Sequence, residues 1–147
     1  MSGPVDPNDE NWFSTSLSPY INHIGGLWIN NSNDENTYKV QVKPTHLNTV
    51  KFTHGGFLLA FIDTSMGDAA SRSCDMQYCV TMSLTTNFIG TSNAGDTLIS
   101  KPIVNKRTAQ FCYVTTTITD EKDKIIATAS GVWKPLKKEL AKRLANR

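Results

Sequence analysis

The chain has 147 residues, 39% of them apolar and 19% charged, enough to bury one globular core and too few for two independent ones. Its net charge of +2 supplies no broad basic field for nucleic acid, and no stretch approaches the about 18 uninterrupted apolar residues that would span a membrane. Three cysteines, Cys74, Cys79 and Cys112, are odd in number, and two lie in apolar alternating stretches. That reads as a reducing, cytoplasmic setting. No Lys or Arg precedes Lys39, so neither a secretory signal nor an Arg-rich transit peptide is expected.

Residues 1–20 are rich in Pro, Asn, Asp and Ser and read as an irregular lead-in, with Trp12 and Phe13 available to dock on the body. A short strand is expected in GLWINN, ending at the polar turn NSNDEN. In YKVQVK, Tyr38, Val40 and Val42 alternate with Lys39, Gln41 and Lys43, the pattern of a half-buried strand, stopped by Pro44. Residues 45–53 form a loop into a helix over Gly55–Ser73.

Four strand candidates follow: MQYCVTMSLTTNF, DTLISKPIVNK, TAQFCYVTTTIT and KIIATASGVWK. GTSNAG and DEKD supply turns between some of them. Pro102 limits the second to an edge, a bulge or an interrupted strand. In the first, alternation puts Val80, Met82 and Leu84 on one face and Thr81, Ser83 and Thr85 on a polar strip. The domain spans 21–135. Residues 136–147 form a basic tail whose Leu136, Leu140 and Leu144 suit a short helix, either laid against the body or offered to acidic partners.

At about 100° per residue, the apolar residues from Phe57 to Ala70 occupy nearly every direction of the helix wheel. Such a helix is buried, and one helix and one antiparallel sheet must cover each other, with a second copy available to complete the cover. Asp63 lies two turns in, too far to be excused as a partner of the helix dipole. It is either a buried aspartate satisfied by backbone or hydroxyl groups, or a carboxylate used in chemistry. Small residues at Ala60, Gly67 and Ala70 leave space beside it. Gly55 and Gly56 mark either a tight turn that needs positive φ or a helix start open to close approach by a ligand. Gly55 and Asp63 are eight positions apart, hence about 12 Å along one helix. Serving one reacting carbon would require Gly55 of one chain to meet Asp63 of another, as a two-fold dimer allows.

His54-Gly55-Gly56, Asp63 nine positions after the histidine, Gly67, Ala69-Ala70, and Asn48 six positions before His54 together resemble the central helix of hotdog-fold thioesterases of the phenylacetate-degradation type. The likeness extends over about residues 20–134. It implies an α+β fold, a long helix wrapped by a curved antiparallel sheet, assembled as a homodimer and further as a dimer of dimers, a homotetramer. It implies that the Gly55 N–H polarises a thioester carbonyl and that Asp63 acts as general base or nucleophile. Asn48 matches the residue that helps place water or carbonyl, and Thr81 falls where relatives carry a hydroxyl near the carboxylate.

The resemblance implies an acyl-coenzyme A substrate and hydrolysis to acid and CoA. His54 and Gly56 at the helix start are substrate-binding candidates, with His54 also suited to holding the loop through backbone bonds. Lys106 and Arg107 are candidates for the CoA phosphates, or a charged turn. His23, His46 and His54 have no i, i+4 pairing and the cysteines no CxxC spacing, so no metal and no cofactor are expected. Two rivals are a non-catalytic acyl-CoA-binding or regulatory hotdog protein and a hotdog dehydratase; the four residues together favour the hydrolase.

Overall fold

The structure is a computed structural model that describes residues 13–15, 18–30 and 36–147. Among the described residues, three α-helices and eight strands follow in the order β1 (Phe13–Thr15), α1 (Pro19–His23), β2 (Leu27–Asn30), β3 (Thr37–Gln41), α2 (Gly55–Ser73), β4 (Cys79–Phe88), β5 (Thr97–Ser100), β6 (Ile103–Arg107), β7 (Cys112–Thr119), β8 (Ile125–Pro135) and α3 (Lys138–Ala145). All pairings are antiparallel, in the order β1-β2-β3-β5-β7-β8-β4, with β6 also on β7.

β5 and β6 are one strand interrupted at Lys101–Pro102: β5 pairs with the end of β7 through Ile99 and Ser100, and β6 with its start. Proline has no N–H to give the ladder, which is why the break falls there.

The sheet curls around α2, the long helix whose observed limits coincide with the sequence reading. Phe57, Leu58, Phe61, Ile62, Met66, Ala69 and Ala70 are buried on it. They meet an inner sheet face of Tyr38, Leu98, Val114, Ile118 and Trp133. Burying each large side chain contributes about 1.5–3 kcal/mol. Cover is not complete, for Leu59 stays 38% exposed on the side toward β4.

Two parts of the lead-in read as irregular are ordered. Phe13–Thr15 pairs with β2, Phe13 opposite Ile29, a non-local contact that composition cannot show. Ser18 caps α1 by accepting from Ile21 N at 3.2 Å, with Pro19 in the first turn, where a missing N–H costs nothing. Trp12, the side chain of Phe13 and most of the NSNDEN turn lie outside the described residues.

In β4 the expected alternation fails. Thr81 lies opposite Trp133, Ser83 opposite Val132 and Leu84 opposite Gly131, so Met82 is an extra residue in a bulge. The bulge moves Thr81 to the inner face, away from Ser83 and Thr85, which border an outer hollow with Tyr113 and Ser130. Trp133, 1% exposed, explains two glycines. A Cβ on Gly67 would stand 3.1 Å from its Nε1, and one on Gly131 2.6 Å from its ring. The space expected beside Asp63 at Gly67 is therefore filled by indole.

Candidate active site

The loop before α2 is built by two histidines and an asparagine. His46 is buried, stacked on Phe57 with ring centroids 3.8 Å apart. Its Nδ1 accepts from Lys43 N at 2.9 Å and its Nε2 lies 2.7 Å from the Ile24 carbonyl, which fixes a neutral ring that donates from Nε2. Burial holds its pKa below the ordinary histidine value, Lys43 adding to the effect and the bond to Ile24 opposing it. Asn48 Oδ1 accepts from Val50 N at 3.0 Å and Phe52 N at 3.1 Å, folding residues 48–52 into a turn in which Lys51 takes a φ of 68°. Its amide oxygen thus serves the loop. The amide NH₂ remains as a donor.

His54 is the N-cap of α2: its Nδ1 accepts from Gly56 N at 2.8 Å. The ring lies so close to Gly56 that a Cβ there would be 3.0 Å from Nδ1. The second glycine therefore exists to admit the cap, and neither Gly55 nor Gly56 has the positive φ of a tight turn. The histidine takes the loop-holding role. With Gly56 N engaged, Gly55 N–H donates to nothing among the described residues, at the end of the helix where the dipole is positive. Phe88 of β4 lies over it, 3.5 Å from where a Cβ would be.

Two turns along, Asp63 is half-buried on the flank of α2 that faces β4. Thr81 Oγ1 donates to its Oδ1 at 2.6 Å. The Met82 bulge makes this meeting happen, since it aims Thr81 inward. Asp63 Oδ2 accepts from no described residue. The site is open on the outer edge of β4, which pairs with nothing further among the described residues and where Val80, Met82 and Phe88 are exposed.

Of the predicted residues, the chain thus joins Asp63 to Thr81 and gathers Asn48, His54, Gly55 and Gly56 at the helix start. It leaves the two groups about 12 Å apart along α2. Lys106 is exposed on β6 opposite Tyr113. Arg107 donates from Nη1 to the Ser73 carbonyl at 2.8 Å and lies 3.6 Å from Asp75, satisfying an orphan carbonyl at the end of α2.

A second aspartate on α2 went unnoticed in the sequence. Asp68 Oδ2 accepts from Tyr38 Oη at 2.6 Å and Arg72 Nε at 2.7 Å, and its side chain is 8% exposed. Burial, and then the Asp68 charge, push the Tyr38 phenol far above its ordinary range. The satisfied buried carboxylate of this helix is Asp68. The i, i+4 spacing to Arg72 was a usable signal; Tyr38, 30 positions away, was not.

The three cysteines also converge at the end of α2, all as free thiols. Ser73 Oγ lies 3.6 Å from Cys74 Sγ and 3.4 Å from Cys112 Sγ. Burial, with Cys74 and Cys112 beside it, pushes the Cys79 thiol up to about 12. Among the described residues no three His, Cys, Asp or Glu side chains are placed to hold a metal ion, and no helix is long and apolar enough to cross a membrane.

A family model described as the thioesterase superfamily matches residues 51–127. No curated relative matches the sequence. Among solved structures, the TT0310 protein of Thermus thermophilus superposes with a TM-score of 0.72 at 21% identity, over 81% of this chain and 98% of its own. The E. coli PaaI protein from the phenylacetic acid degradation operon gives 0.71 at 21% identity, over 83% and 87%. A hypothetical thioesterase of Streptococcus pneumoniae solved with coenzyme A gives 0.68 at 19% identity, over 75% and 85%. At these identities the likenesses show the fold, which is the hotdog fold.

Proposed function

This chain belongs to the thioesterase superfamily, and we propose that it hydrolyses acyl-coenzyme A to a free acid and CoA, with Asp63 at the centre of the chemistry. The observation that carries the reading is the 2.6 Å bond from Thr81 to Asp63. It fixes one carboxylate oxygen and leaves the other toward an open edge, where a carbonyl carbon and a water have access.

Asp63 Oδ2 takes a proton from water as the water oxygen bonds to the carbonyl carbon; alternatively Oδ2 attacks that carbon itself and water then cleaves the anhydride. The carbonyl oxygen gains negative charge and needs a fixed donor. That donor is the free N–H of Gly55, which must come from a second subunit. When the C–S bond breaks, the thiolate leaves and takes the proton held by Asp63 or, on the anhydride route, one from water.

The edge strand supplies the means. Thr81 stands near one end of β4 and Phe88, lying over Gly55, at the other. Two β4 strands paired antiparallel about a two-fold axis near Leu84 and Thr85 bring the Thr81–Asp63 end of one copy to the Phe88–Gly55 end of the other. Each dimer then holds two equivalent sites, and the exposed edge is covered. Asn48, His54 and Gly56 border the incoming carbonyl beside Gly55. Lys106 is the remaining candidate for a CoA phosphate, since Arg107 is engaged at the end of α2.

The test is release of free thiol from aromatic and graded-chain acyl-CoA esters by wild type and Asp63→Ala. Hydrolysis by wild type, falling about 10²–10⁴-fold in the variant with the oligomer intact, supports the reading. Tight binding without release by wild type would replace it with the acyl-CoA-binding one.

A further inference from the structure

We propose that helix α3 docks this protein on an anionic membrane surface. From Lys134 to Arg147 there are six cations, Lys134, Lys137, Lys138, Lys142, Arg143 and Arg147, against the single carboxylate of Glu139. This ending carries a side-chain charge of +5 in a chain of net +2, so the remainder is −3. The cationic character of the molecule is therefore concentrated at the end of the chain, from the last residues of β8 through α3, the arrangement that orients a body against a negative surface.

The packing of α3 is the second observation. A helix that docks on its own body turns its large apolar residues inward. Here the side toward the body carries Ala141 and Ala145 together with Lys138 and Lys142, across a hollow of about 400 Å³ that Met76, Tyr78 and Leu136 help to line, and no residue of α3 is buried. Leu140 and Leu144, one turn apart, are left 43% and 42% exposed. Of the three leucines expected on this helix, Leu136 precedes it and packs beside the hollow, and Leu140 and Leu144 lie on it. A helix with leucines on an unburied face, and with Lys137, Arg143 and Arg147 within about 60° of Leu140 at 100° per residue, has the pattern of one that lies in a lipid interface.

The neighbouring turn adds to it. Met76 takes a φ of 60°, held by its N–H on the Ser71 carbonyl at 2.9 Å, and its side chain is 62% exposed beside Tyr78 at 70%. The left-handed turn serves the C-terminus of α2 by satisfying one of its last carbonyls, and it leaves the methionine displayed beside the hollow under α3. Contact with a polyanion alone would use the cations and leave Leu140, Leu144 and Met76 unexplained; a bilayer with anionic headgroups uses both.

The experiment is co-sedimentation of the full chain with vesicles of phosphatidylcholine alone and with vesicles containing about one third phosphatidylglycerol, at low and high salt. The expected result is binding about tenfold or more stronger to the anionic vesicles, weakened by salt. It should be lost in Lys137→Glu/Arg143→Glu and also in Leu140→Ser/Leu144→Ser, with melting temperatures and oligomer size unchanged. Equal affinity for both vesicles, or binding indifferent to the leucine variant, overturns the proposal. So does a leucine variant of smaller oligomer size, which would make α3 an interface between copies, or capture of α3 by an acidic protein in place of anionic lipid.

Discussion

Thr81 Oγ1 and Asp63 Oδ1 are 2.6 Å apart although 18 positions separate them in sequence, and the Met82 bulge is what lets strand and helix meet there. A hydrogen bond to a carboxylate contributes about 1.5–3 kcal/mol. Thr81→Val should therefore lower kcat about 10–100-fold with little change in KM, whereas Thr81→Ser, which keeps the donor, should restore most of the rate. Steady-state thiol release by the two variants checks this.

Gly55 allows its N–H to be removed without disturbing the helix. It occupies the first position of α2, and His54 before it has φ −65° and ψ 134°, a conformation that tolerates a following proline. Gly55→Pro should fold and assemble normally yet lose about 10²–10³-fold in kcat, the cost of an oxyanion donor. Gly55→Ala, which retains the N–H, should not show that loss. Circular dichroism and kinetics on the same preparations separate the two effects.

The adjacent glycines should respond oppositely to alanine. A Cβ at Gly56 would press on His54 at 3.0 Å, while one at Gly55 would reach ordinary contact with Phe88 at 3.5 Å. Gly56→Ala should destabilise by about 1 kcal/mol through loss of the cap. Gly55→Ala should be neutral or stabilising, because alanine is a better helix former by up to about 1 kcal/mol. Urea unfolding of both variants measures the difference.

Asp68 holds two donors together, the buried Tyr38 phenol and the partly exposed Arg72. Asp68→Ala should destabilise by about 2 kcal/mol, because the Tyr38 hydroxyl loses its acceptor while Arg72 can turn to water. Tyr38→Phe should cost about 1–2 kcal/mol. Neither should alter kcat, since Asp68 is remote from the open edge. A double-mutant cycle by thermal melting would show the coupling.

His46 makes stability depend on pH. Its folded pKa lies below the ordinary value of 6.5, so below that value the unfolded chain binds more protons than the folded one. The contribution is complete above pH about 6.5 and is lost as the pH falls below it, because protonation breaks the Lys43 N–H···Nδ1 bond. Urea midpoints at pH 7.5 and 5.5 should differ less in His46→Asn than in wild type.

What was legible follows from range. α2 announced both ends, since its continuous apolar run is bounded by His-Gly-Gly and a polar turn; β3 showed its alternation and its Pro44 stop, and Pro102 its interruption. The inward aim of Thr81 was not legible from alternation, which placed it with Ser83 and Thr85. A bulge is a property of two strands in register, and one strand's sequence does not contain it. The sequence pattern pointed to Asp63 as the aspartate that burial would have to explain, when Asp68 is the one whose carboxylate is buried and has a buried partner. Its phenolic partner enters from β3, and only the folded sheet puts them together.

The meeting of Cys74, Cys79 and Cys112 gives the chain an internal clock for its own opening. With the Cys79 thiol pushed up by burial it stays protonated in the folded protein at pH 8, and Cys74 and Cys112 are buried. A thiol reagent then waits for the end of α2 to part from the starts of β4 and β7. The rate of labelling counts those separations, reporting local fluctuation at the end of the helix far from its start.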